Sequence, residues 1–289
     1  MAEIQIHMVL LPKYFRNMVI FPRAKINIGL RISEKRPDSY HNLQTIFYPV
    51  SLCDALEFVV PAEPLDNDIL EVTGLASDSM VKDNIVIKAV KKLRNRADIP
   101  FLKLHLHKAI PAGAGLGGGS SDAANILRCL NKHYNLGIGP WELKAISLSL
   151  GSDCPFFLDN SPAYAEGRGE ILMPVSPLPD GFYLIVVKPD INVDTKAAYQ
   201  ECRPSKVDSK LREHWCRDIG KWRDLIVNDF EQSIFPEYPE IGFLKESLYE
   251  LGALYSSMSG SGSAVYGIFR EKPVISDLLK DRVIYSGNL

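Results

Sequence analysis

Hydrophobic and polar residues alternate with two different periods along the chain, and these periods predict a mixed fold. Strict alternation over residues 102–107 is typical of a strand with one face in water. Apolar residues at helical spacing occur over residues 123–134 and again over residues 241–251. The pattern also predicts a helix at 85–94 and strands at 25–31, 54–60, 183–188 and 264–269. Because helices and strands mix without a strict β–α–β order, the predicted fold class is α+β.

Five glycines fall within residues 111–121, directly before the predicted helix at 123–134. Glycine lacks a Cβ, so successive backbone N–H groups of such a segment can converge on an anion. The N-terminus of the following helix would favour a phosphate at the same place. Ser120, Ser121 and Asp122 are typical helix-capping residues, so the helix is predicted to start among them. The segment therefore predicts a phosphate-binding loop, and the alternative is a glycine-rich hinge without a ligand.

Three well-known phosphate-loop patterns do not describe this segment. The Walker A loop ends in Gly-Lys-Ser/Thr, whereas residues 119–121 are Gly-Ser-Ser. Gly113, Gly115 and Gly118 satisfy the spacing of a dinucleotide loop, but the preceding strand alternates instead of being apolar throughout. The His-Arg-Asp and Asp-Phe-Gly motifs of protein kinases are absent from the sequence. A different kind of nucleotide site is indicated.

The glycine segment resembles the ATP-binding motif of the GHMP kinases, the small-molecule kinases named for galactose, homoserine, mevalonate and phosphomevalonate. Two further segments resemble motifs of this family in the same order along the chain. They are residues 22–30, Pro-Arg-Ala-Lys-Ile-Asn-Ile-Gly-Leu, and residues 258–266, Met-Ser-Gly-Ser-Gly-Ser-Ala-Val-Tyr. The resemblance implies an N-terminal lobe of the ribosomal-S5-like type, a C-terminal ferredoxin-like lobe, and an active site between them.

Composition agrees with a soluble enzyme of this size. The chain has 289 residues, 46% hydrophobic content and a net charge of −2, so it can bury a sizeable core and offers no basis for nucleic acid binding. Five widely spaced cysteines indicate reduced thiols and predict a cytoplasmic location. No apolar run reaches about 18 residues, so no membrane span is predicted. The predicted domains are 18–165 and 166–289. Residues 1–17 form an extension of unassigned role, and the oligomeric state is not predicted.

Asp153 and Lys25 are the predicted catalytic residues. Asp153 lies in Gly-Ser-Asp-Cys-Pro-Phe-Phe, residues 151–157, which resembles the segment that carries the catalytic base of the family. Its apolar neighbours suit a general base in a partly desolvated pocket, and the alternative is an aspartate that caps a turn. Lys25 and Asn27 share the polar face of one strand. Lys25 is expected to keep Asp153 ionised and to stabilise the transferring phosphoryl group, and the resemblance implies Asn27 as a substrate ligand.

The resemblance assigns ATP binding to the glycine segment and to Asn84. Asn84 precedes the predicted helix at 85–94, and capping of that helix is its alternative role. Mg²⁺ is expected with ATP, held by the phosphates and water, with Ser120 or Ser121 as candidate contacts; no protein ligand of the metal is assigned. The loop residues implied in ATP binding are Pro111, Ala112, Gly113, Ala114, Gly115, Leu116, Gly117, Gly118, Gly119, Ser120 and Ser121.

The substrate is indicated by residues 36–47, Arg-Pro-Asp-Ser-Tyr-His-Asn-Leu-Gln-Thr-Ile-Phe. They resemble the substrate segment of the family member that phosphorylates a cytidine diphosphate-linked methylerythritol. The resemblance implies that Tyr40 and His41 recognise cytosine, by stacking and by hydrogen bonding. The alternatives are a related kinase acting on homoserine, mevalonate or a sugar, and a nucleotide-binding regulator without activity. The other implied substrate contacts are Thr195, Tyr199, Gly260 and Ser261.

Overall fold

The computed structural model describes residues 18–75, 83–204, 210–215 and 217–289. The extension predicted at residues 1–17 lies outside these residues. The strands are β1 (Met18–Ile20), β2 (Arg23–Lys35), β3 (His41–Cys53), β4 (Ala55–Val59), β5 (Ile69–Gly74), β6 (Lys103–Lys108), β7 (Ala163–Glu166), β8 (Ile171–Pro174), β9 (Tyr183–Val187), β10 (Tyr255–Met258), β11 (Val265–Phe269) and β12 (Val283–Asn288).

The helices of the described residues alternate irregularly with these strands. They are α1 (Ile85–Arg94), α2 (Gly118–His133), α3 (Pro140–Leu148), α4 (Phe156–Asp159), α5 (Thr195–Glu201), α6 (Leu211–Trp215), α7 (Trp222–Leu225), α8 (Glu231–Glu237), α9 (Pro239–Glu250) and α10 (Asp277–Lys280), with one 3₁₀ turn at Ile219–Lys221. The predicted α+β class is confirmed. No helix in the described ranges combines the length and the apolar content that crossing a membrane requires.

The first sheet has the strand order β1-β4-β6-β5 and packs one face on helices α1 and α2. In β6, Leu104 and Leu106 are buried in the core, whereas Lys103 and His107 are exposed. The alternation over residues 102–107 therefore does mark a strand with one wet face, as predicted. This strand leads directly into the glycine segment and so sets its position.

The second sheet has the order β2-β3-β7-β8 and lies between two cores. On β2, Ile26 and Ile28 enter a core shared with the third sheet, while Lys25 and Asn27 lie on the opposite face, buried at 4% and 3% exposure. A break in the β2–β3 register between Ile28 and Leu30 ends this alternation, and Leu30 joins a different core. The predicted polar face of β2 is thus real but faces the interior of the protein.

The third sheet, β10-β11-β9-β12, packs one face on the second sheet and the other on helices α8 and α9. Strand pairing within the second sheet continues through β8, which pairs with β7. The predicted domain boundary at 165/166 stays a prediction, and this pairing favours a division between Pro174 and Tyr183.

Helix α2 begins at Gly118, at least two residues before the start predicted among residues 120–122, so that prediction is wrong. Its N-cap is Gly117, whose φ of 72° turns the chain into the helix without a side-chain cap. Ser121 and Asp122 are instead buried inside the first turns. Sequence alone suggested capping because these residue types prefer that position, whereas tertiary contacts decide it here.

Candidate active site

Two cavities meet at the glycine segment. The first, called here the loop cavity, has a volume of about 470 Å³ and is lined by nine of the eleven residues 111–121, together with Asn84 and Lys108. The second, called the strand cavity, has a volume of about 310 Å³ and is lined among others by Lys25, Asp153, Arg168, Thr195, Tyr199 and Ser261. Both cavities are lined by Gly115, Gly117 and Ser120, which therefore mark their junction.

The glycine segment is packed too closely for side chains at two positions. Gly115 has a φ of 76°, and a Cβ there would lie 1.9 Å from the carbonyl oxygen of Ser259. Gly117 has a φ of 72°, and its Cβ would lie 2.8 Å from the Phe157 ring and 3.2 Å from Lys25 Cε. The segment is thus held against both Lys25 and the third predicted motif.

The start of α2 supplies an anion-binding end at the loop cavity. Gly118, Gly119 and Ser120 line this cavity, and the N-cap residue Gly117 supplies no side-chain hydrogen bond to the helix. The first N–H groups of a helix lack partners within the helix and carry a partial positive charge. A phosphate is the ligand that such an end most readily accepts.

Lys25 and Asp153 form the ion pair that was predicted for the two catalytic residues. Lys25 Nζ lies 3.7 Å from Asp153 Oδ2, and Lys25 is almost fully buried while 29% of the Asp153 side chain is exposed. Lys25 Nζ also donates to Asn27 Oδ1 and, at 2.8 Å, to the Gly115 carbonyl oxygen. Burial lowers the pKa of Lys25, and the charge of Asp153 raises it again in part.

Asn27 connects the three predicted motifs. Its side chain accepts from Lys25 and donates to Thr45 Oγ1 at 3.0 Å, and its backbone N–H donates to Ser259 Oγ at 3.2 Å. Ser259 Oγ in turn donates to the Gly115 carbonyl oxygen at 2.9 Å. Residues far apart in sequence therefore converge on one hydrogen-bonded network beside the cavity junction. Thr45 was not predicted as a site residue, and Ser259 was predicted only as part of the third motif.

The implied cytosine residues separate in the structure. His41 is buried and stacks on Tyr199, with ring centroids 5.1 Å apart and planes at 17°. Tyr40 is 54% exposed, and the Arg168 guanidinium lies over its ring at 4.7 Å. Burial, and to a lesser extent the charge of Lys35, lowers the pKa of His41 and so favours its neutral imidazole.

The remaining implied substrate residues lie together on the wall of the strand cavity. Thr195, Tyr199, Gly260 and Ser261 all line it. Thr195 Oγ1 and Ser261 Oγ are 2.9 Å apart and share a hydrogen bond. This joins helix α5 to the third motif. The catalytic and binding roles of these residues stay predictions.

The implied ATP residues mostly surround the loop cavity. Asn84 lines it and also caps α1, because its Oδ1 accepts from the Val86 N–H at 2.9 Å, so both roles considered for it fit. Leu116 and Ser121 are buried and are not among the lining residues. The Ser121 hydroxyl lies 3.3 Å from Asn125 Nδ2, so Ser120 is the serine that faces the junction.

A buried charged cluster beneath the loop cavity was missed by the sequence analysis. Lys108 Nζ donates to Asp54 and, at 2.8 Å, to Asp122 Oδ2. The other oxygen of Asp54 accepts from the backbone N–H groups of Ala109 and Ile110 at 2.7 and 2.8 Å. Burial raises the pKa of Asp122 to about 8. The two aspartates come from distant segments, so no local spacing could reveal the cluster.

These features together define a class of protein. A glycine loop at a helix N-terminus is the part of the site suited to nucleotide phosphates, and a buried lysine paired with a carboxylate lies at the mouth of a second, smaller cavity. The arrangement is that of a small-molecule kinase, in which phosphoryl donor and acceptor enter from different sides.

Comparisons with known proteins identify the family. The model of the GHMP kinase N-terminal domain matches residues 84–161, and that of the GHMP kinase C-terminal domain matches residues 209–280. The chain is 46% identical over 275 residues to a 4-diphosphocytidyl-2-C-methyl-D-erythritol kinase of Parabacteroides distasonis, with 94% of this chain and 100% of the relative covered. A kinase of the same name from Bacteroides thetaiotaomicron is 44% identical, with 90% and 95% covered. The chain belongs to the 4-diphosphocytidyl-2-C-methyl-D-erythritol kinase family.

Solved structures agree with this assignment. A crystal structure of 4-(cytidine 5'-diphospho)-2C-methyl-D-erythritol kinase matches with a TM-score of 0.77 and 32% identity, covering 94% of this chain and 98% of that one. A homoserine kinase from Cytophaga hutchinsonii matches with a TM-score of 0.63 at 16% identity, a likeness of fold alone. The predicted two-lobed GHMP kinase fold is confirmed.

Proposed function

We propose that this chain transfers the γ-phosphoryl group of ATP to the 2-hydroxyl of 4-diphosphocytidyl-2-C-methyl-D-erythritol, giving the 2-phosphate and ADP in the non-mevalonate route to isoprenoid precursors. The observation that carries the proposal is the Lys25–Asp153 pair at the junction of the loop and strand cavities. The substrate follows from the names of relatives that share 44–46% identity with the chain.

ATP would occupy the loop cavity with its phosphates at the start of α2. The N–H groups around Gly118 to Ser120 would bind the phosphate oxygens, and the γ-phosphate would reach the junction marked by Gly115, Gly117 and Ser120. Such a cradle aligns the donor and neutralises charge, which is most of what phosphoryl transfer requires. Asn84 lines this cavity outside the glycine segment and would contact the adenine.

Asp153 would receive the proton of the accepting hydroxyl as that oxygen attacks the γ-phosphorus. Its side chain is 29% exposed and lines the strand cavity, so a substrate hydroxyl can approach it. Lys25, fixed by Asn27 and the Gly115 carbonyl, would stabilise the negative charge of the transferring phosphoryl group beside Asp153.

The residues at the junction fit a nucleotide-bound Mg²⁺. This ion prefers oxygen ligands and is commonly held by phosphates with one or two protein oxygens. Ser120 lies at the junction and Asp153 lines the strand cavity, and no group of three or more His, Cys, Asp or Glu suited to a metal occurs in the described part of the chain. When bound, Mg²⁺ would neutralise charge on the phosphate oxygens.

The cytosine would be recognised beside His41 and Tyr199, with Tyr40 closing the outer side. A neutral His41 can both donate and accept, as the hydrogen-bonding edge of cytosine requires. The Thr195 and Ser261 hydroxyls, with Gly260 and Asn27, would contact the remainder of the substrate along the strand cavity. The proposed location is the cytoplasm, where Cys53, Cys129, Cys154 and Cys202, all free thiols here, would stay reduced.

Phosphorus NMR of the purified protein with ATP, Mg²⁺ and the substrate tests the proposal. ADP and a new phosphomonoester at the 2-position are expected, and Asp153→Asn should abolish both while ATP still binds. Turnover of homoserine, mevalonate or a sugar instead would point to a related kinase. ATP binding without turnover of any of these alcohols would point to a regulator and contradict the proposal.

A further inference from the structure

The turn between β7 and β8 places an arginine on the wall of the strand cavity. Gly167 and Gly169 flank Arg168 and have φ values of 70° and 108°. The Gly167 carbonyl accepts from the Leu43 N–H at 2.8 Å, which fixes the turn on β3. A Cβ on Gly169 would lie 3.4 Å from the Phe47 ring and 3.6 Å from Asp153 Oδ1. The turn is therefore seated directly against the proposed catalytic base.

The guanidinium of Arg168 is poorly engaged by the protein. Its contact with Glu170 is 3.6 Å long, beyond hydrogen-bond distance, and its Nε is buried without a hydrogen-bond partner in the described part of the chain. By contrast, Arg94 makes two 2.7 Å hydrogen bonds to the carboxylate of Asp68. A buried donor left unpaired costs free energy, so the protein alone holds this guanidinium less firmly than that of Arg94.

Charge along the strand cavity leads to the same conclusion. Its charged lining residues are Lys25, Asp153 and Arg168. Lys25 and Asp153 offset each other, so Arg168 supplies the remaining positive charge among these lining residues, and its ion-pair partner Glu170 does not line the cavity. An anionic group of a ligand in this cavity would be attracted to it, because guanidinium binds phosphate oxygens in pairs with matching geometry.

The position of Arg168 indicates which anion this is. Its guanidinium lies over Tyr40, while its turn lies beside Asp153. A substrate with cytosine near Tyr40 and its accepting hydroxyl near Asp153 must carry its two phosphates between these points. We infer that Arg168 binds the diphosphate of the cytidine diphosphate-linked substrate and holds it in register for transfer. The inference rests on the proposed function and adds a residue to its substrate site.

Binding of CDP and of cytidine tests the inference, because the two ligands differ only in the diphosphate. Calorimetric titrations in saturating ADP keep the loop cavity filled, so that both probes report on the strand cavity. The wild-type chain should bind CDP more tightly than cytidine. Arg168→Met should weaken CDP by about tenfold or more, the loss expected for a charge-assisted contact, and leave cytidine nearly unchanged. Arg168→Lys keeps the positive charge but cannot form two parallel hydrogen bonds, so its affinity for CDP should lie between those of the wild type and Arg168→Met.

Arg270→Met is the matched control. Arg270 lies over the Phe182 ring at 4.8 Å, nearly the same arrangement as Arg168 over Tyr40, but it lines a different cavity. Its loss should leave the affinities for CDP and cytidine unchanged. The ADP affinity and melting temperature of each variant report its folding, and Arg168→Gln replaces the methionine variant if that one is unstable.

Two results would overturn the inference while the proposed function stands. Unchanged CDP affinity in Arg168→Met would show that Arg168 does not bind the diphosphate. An equal loss for CDP and cytidine would assign Arg168 to supporting Tyr40 or the local fold. Failure of the wild-type chain to phosphorylate the substrate, with no binding of CDP or cytidine, would instead remove the proposed function and the inference with it.

Discussion

Replacing Lys25 by methionine removes the ammonium that lies 3.7 Å from Asp153 Oδ2 and keeps a side chain of similar length. Two unit charges about 4 Å apart interact by about 4 kcal/mol at an effective dielectric constant of about 20. Because Asp153 is 29% exposed, water screens part of this energy and the figure is an upper bound. Negative charge on the transferring phosphoryl group at a similar distance from the ammonium would be stabilised by an energy of the same order. A change of about 1.4 kcal/mol alters a rate tenfold, so kcat is expected to fall by about a hundredfold to a thousandfold.

The same substitution should cost only moderate folding stability. Burial lowers the pKa of Lys25, which means that the fold disfavours its charged form, and methionine suits a dry site. The loss comes from Asn27 Oδ1, which is left without a donor at a cost of about 1–3 kcal/mol, whereas the Gly115 carbonyl keeps its hydrogen bond from Ser259. Lys245→Met is the control, since Lys245 forms a 2.6 Å ion pair with Glu231 that lines neither cavity.

Steady-state kinetics with both substrates, together with melting temperatures, measure these effects. Lys25→Met should lose kcat with little change in the KM for ATP, whereas Lys245→Met should lose stability and keep kcat. A kcat of Lys25→Met within about threefold of the wild-type value would refute the electrostatic role assigned to this lysine. So would an equal loss of kcat in the Lys245 variant, because the effect would then come from general destabilisation.

Three further predictions follow from the geometry. Gly115→Ala should weaken ATP binding by about tenfold or more in titrations and lower the melting temperature, because its Cβ would meet the Ser259 carbonyl. Gly137→Ala is the control: Gly137 has a similar φ of 70° but lies in open space, so this variant should lose stability only through the backbone strain energy of about 1–3 kcal/mol. Burial raises the pKa of Asp122 to about 8, so its contribution to stability should be full below about pH 4 and be lost as the pH rises to about 8. The free energy of unfolding, measured by denaturation across this range, should depend less steeply on pH in Asp122→Asn than in the wild type. An unchanged slope of this free energy against pH would contradict the assignment. Tyr199→Leu should raise the KM for the cytidine substrate by about twofold to tenfold with the KM for ATP unchanged, while Tyr199→Phe keeps the stacking and should not; equal KM values for all three proteins would remove Tyr199 from the substrate site.

Local patterns in the sequence were sufficient to predict the strand and the helix that flank the phosphate loop. The alternation at 102–107 and the glycines that follow depend on neighbours in sequence, and both appear in the structure as β6 and the start of α2. Alternation also placed Lys25 and Asn27 on one face of β2. Their proximity to Asp153 followed from the family resemblance, because residues more than a hundred positions apart meet only through the tertiary fold.

Contacts made across the fold were not predictable from the chain alone. Arg168 lies between two glycines, a sequence that indicates a tight turn but does not say that the turn rests on Phe47 and Asp153. Asp122 has the residue type of a helix cap, yet Lys108 draws it into a buried cluster. Tyr40 and His41 are neighbours in sequence, and only the structure separates them into an exposed ring and a buried one.

The hydrogen bonds that Lys25 donates to other residues account for its distance from Asp153. This distance affects how well Asp153 can accept a proton. An ammonium has three N–H groups, and Lys25 gives one to Asn27 Oδ1 and one to the Gly115 carbonyl. Asp153 then lies at 3.7 Å, close enough to feel the charge but beyond a hydrogen bond. Because its oxygens are not consumed by the lysine, the carboxylate keeps lone pairs for an incoming hydroxyl. A closer pair would hold Asp153 more firmly and make it a poorer proton acceptor.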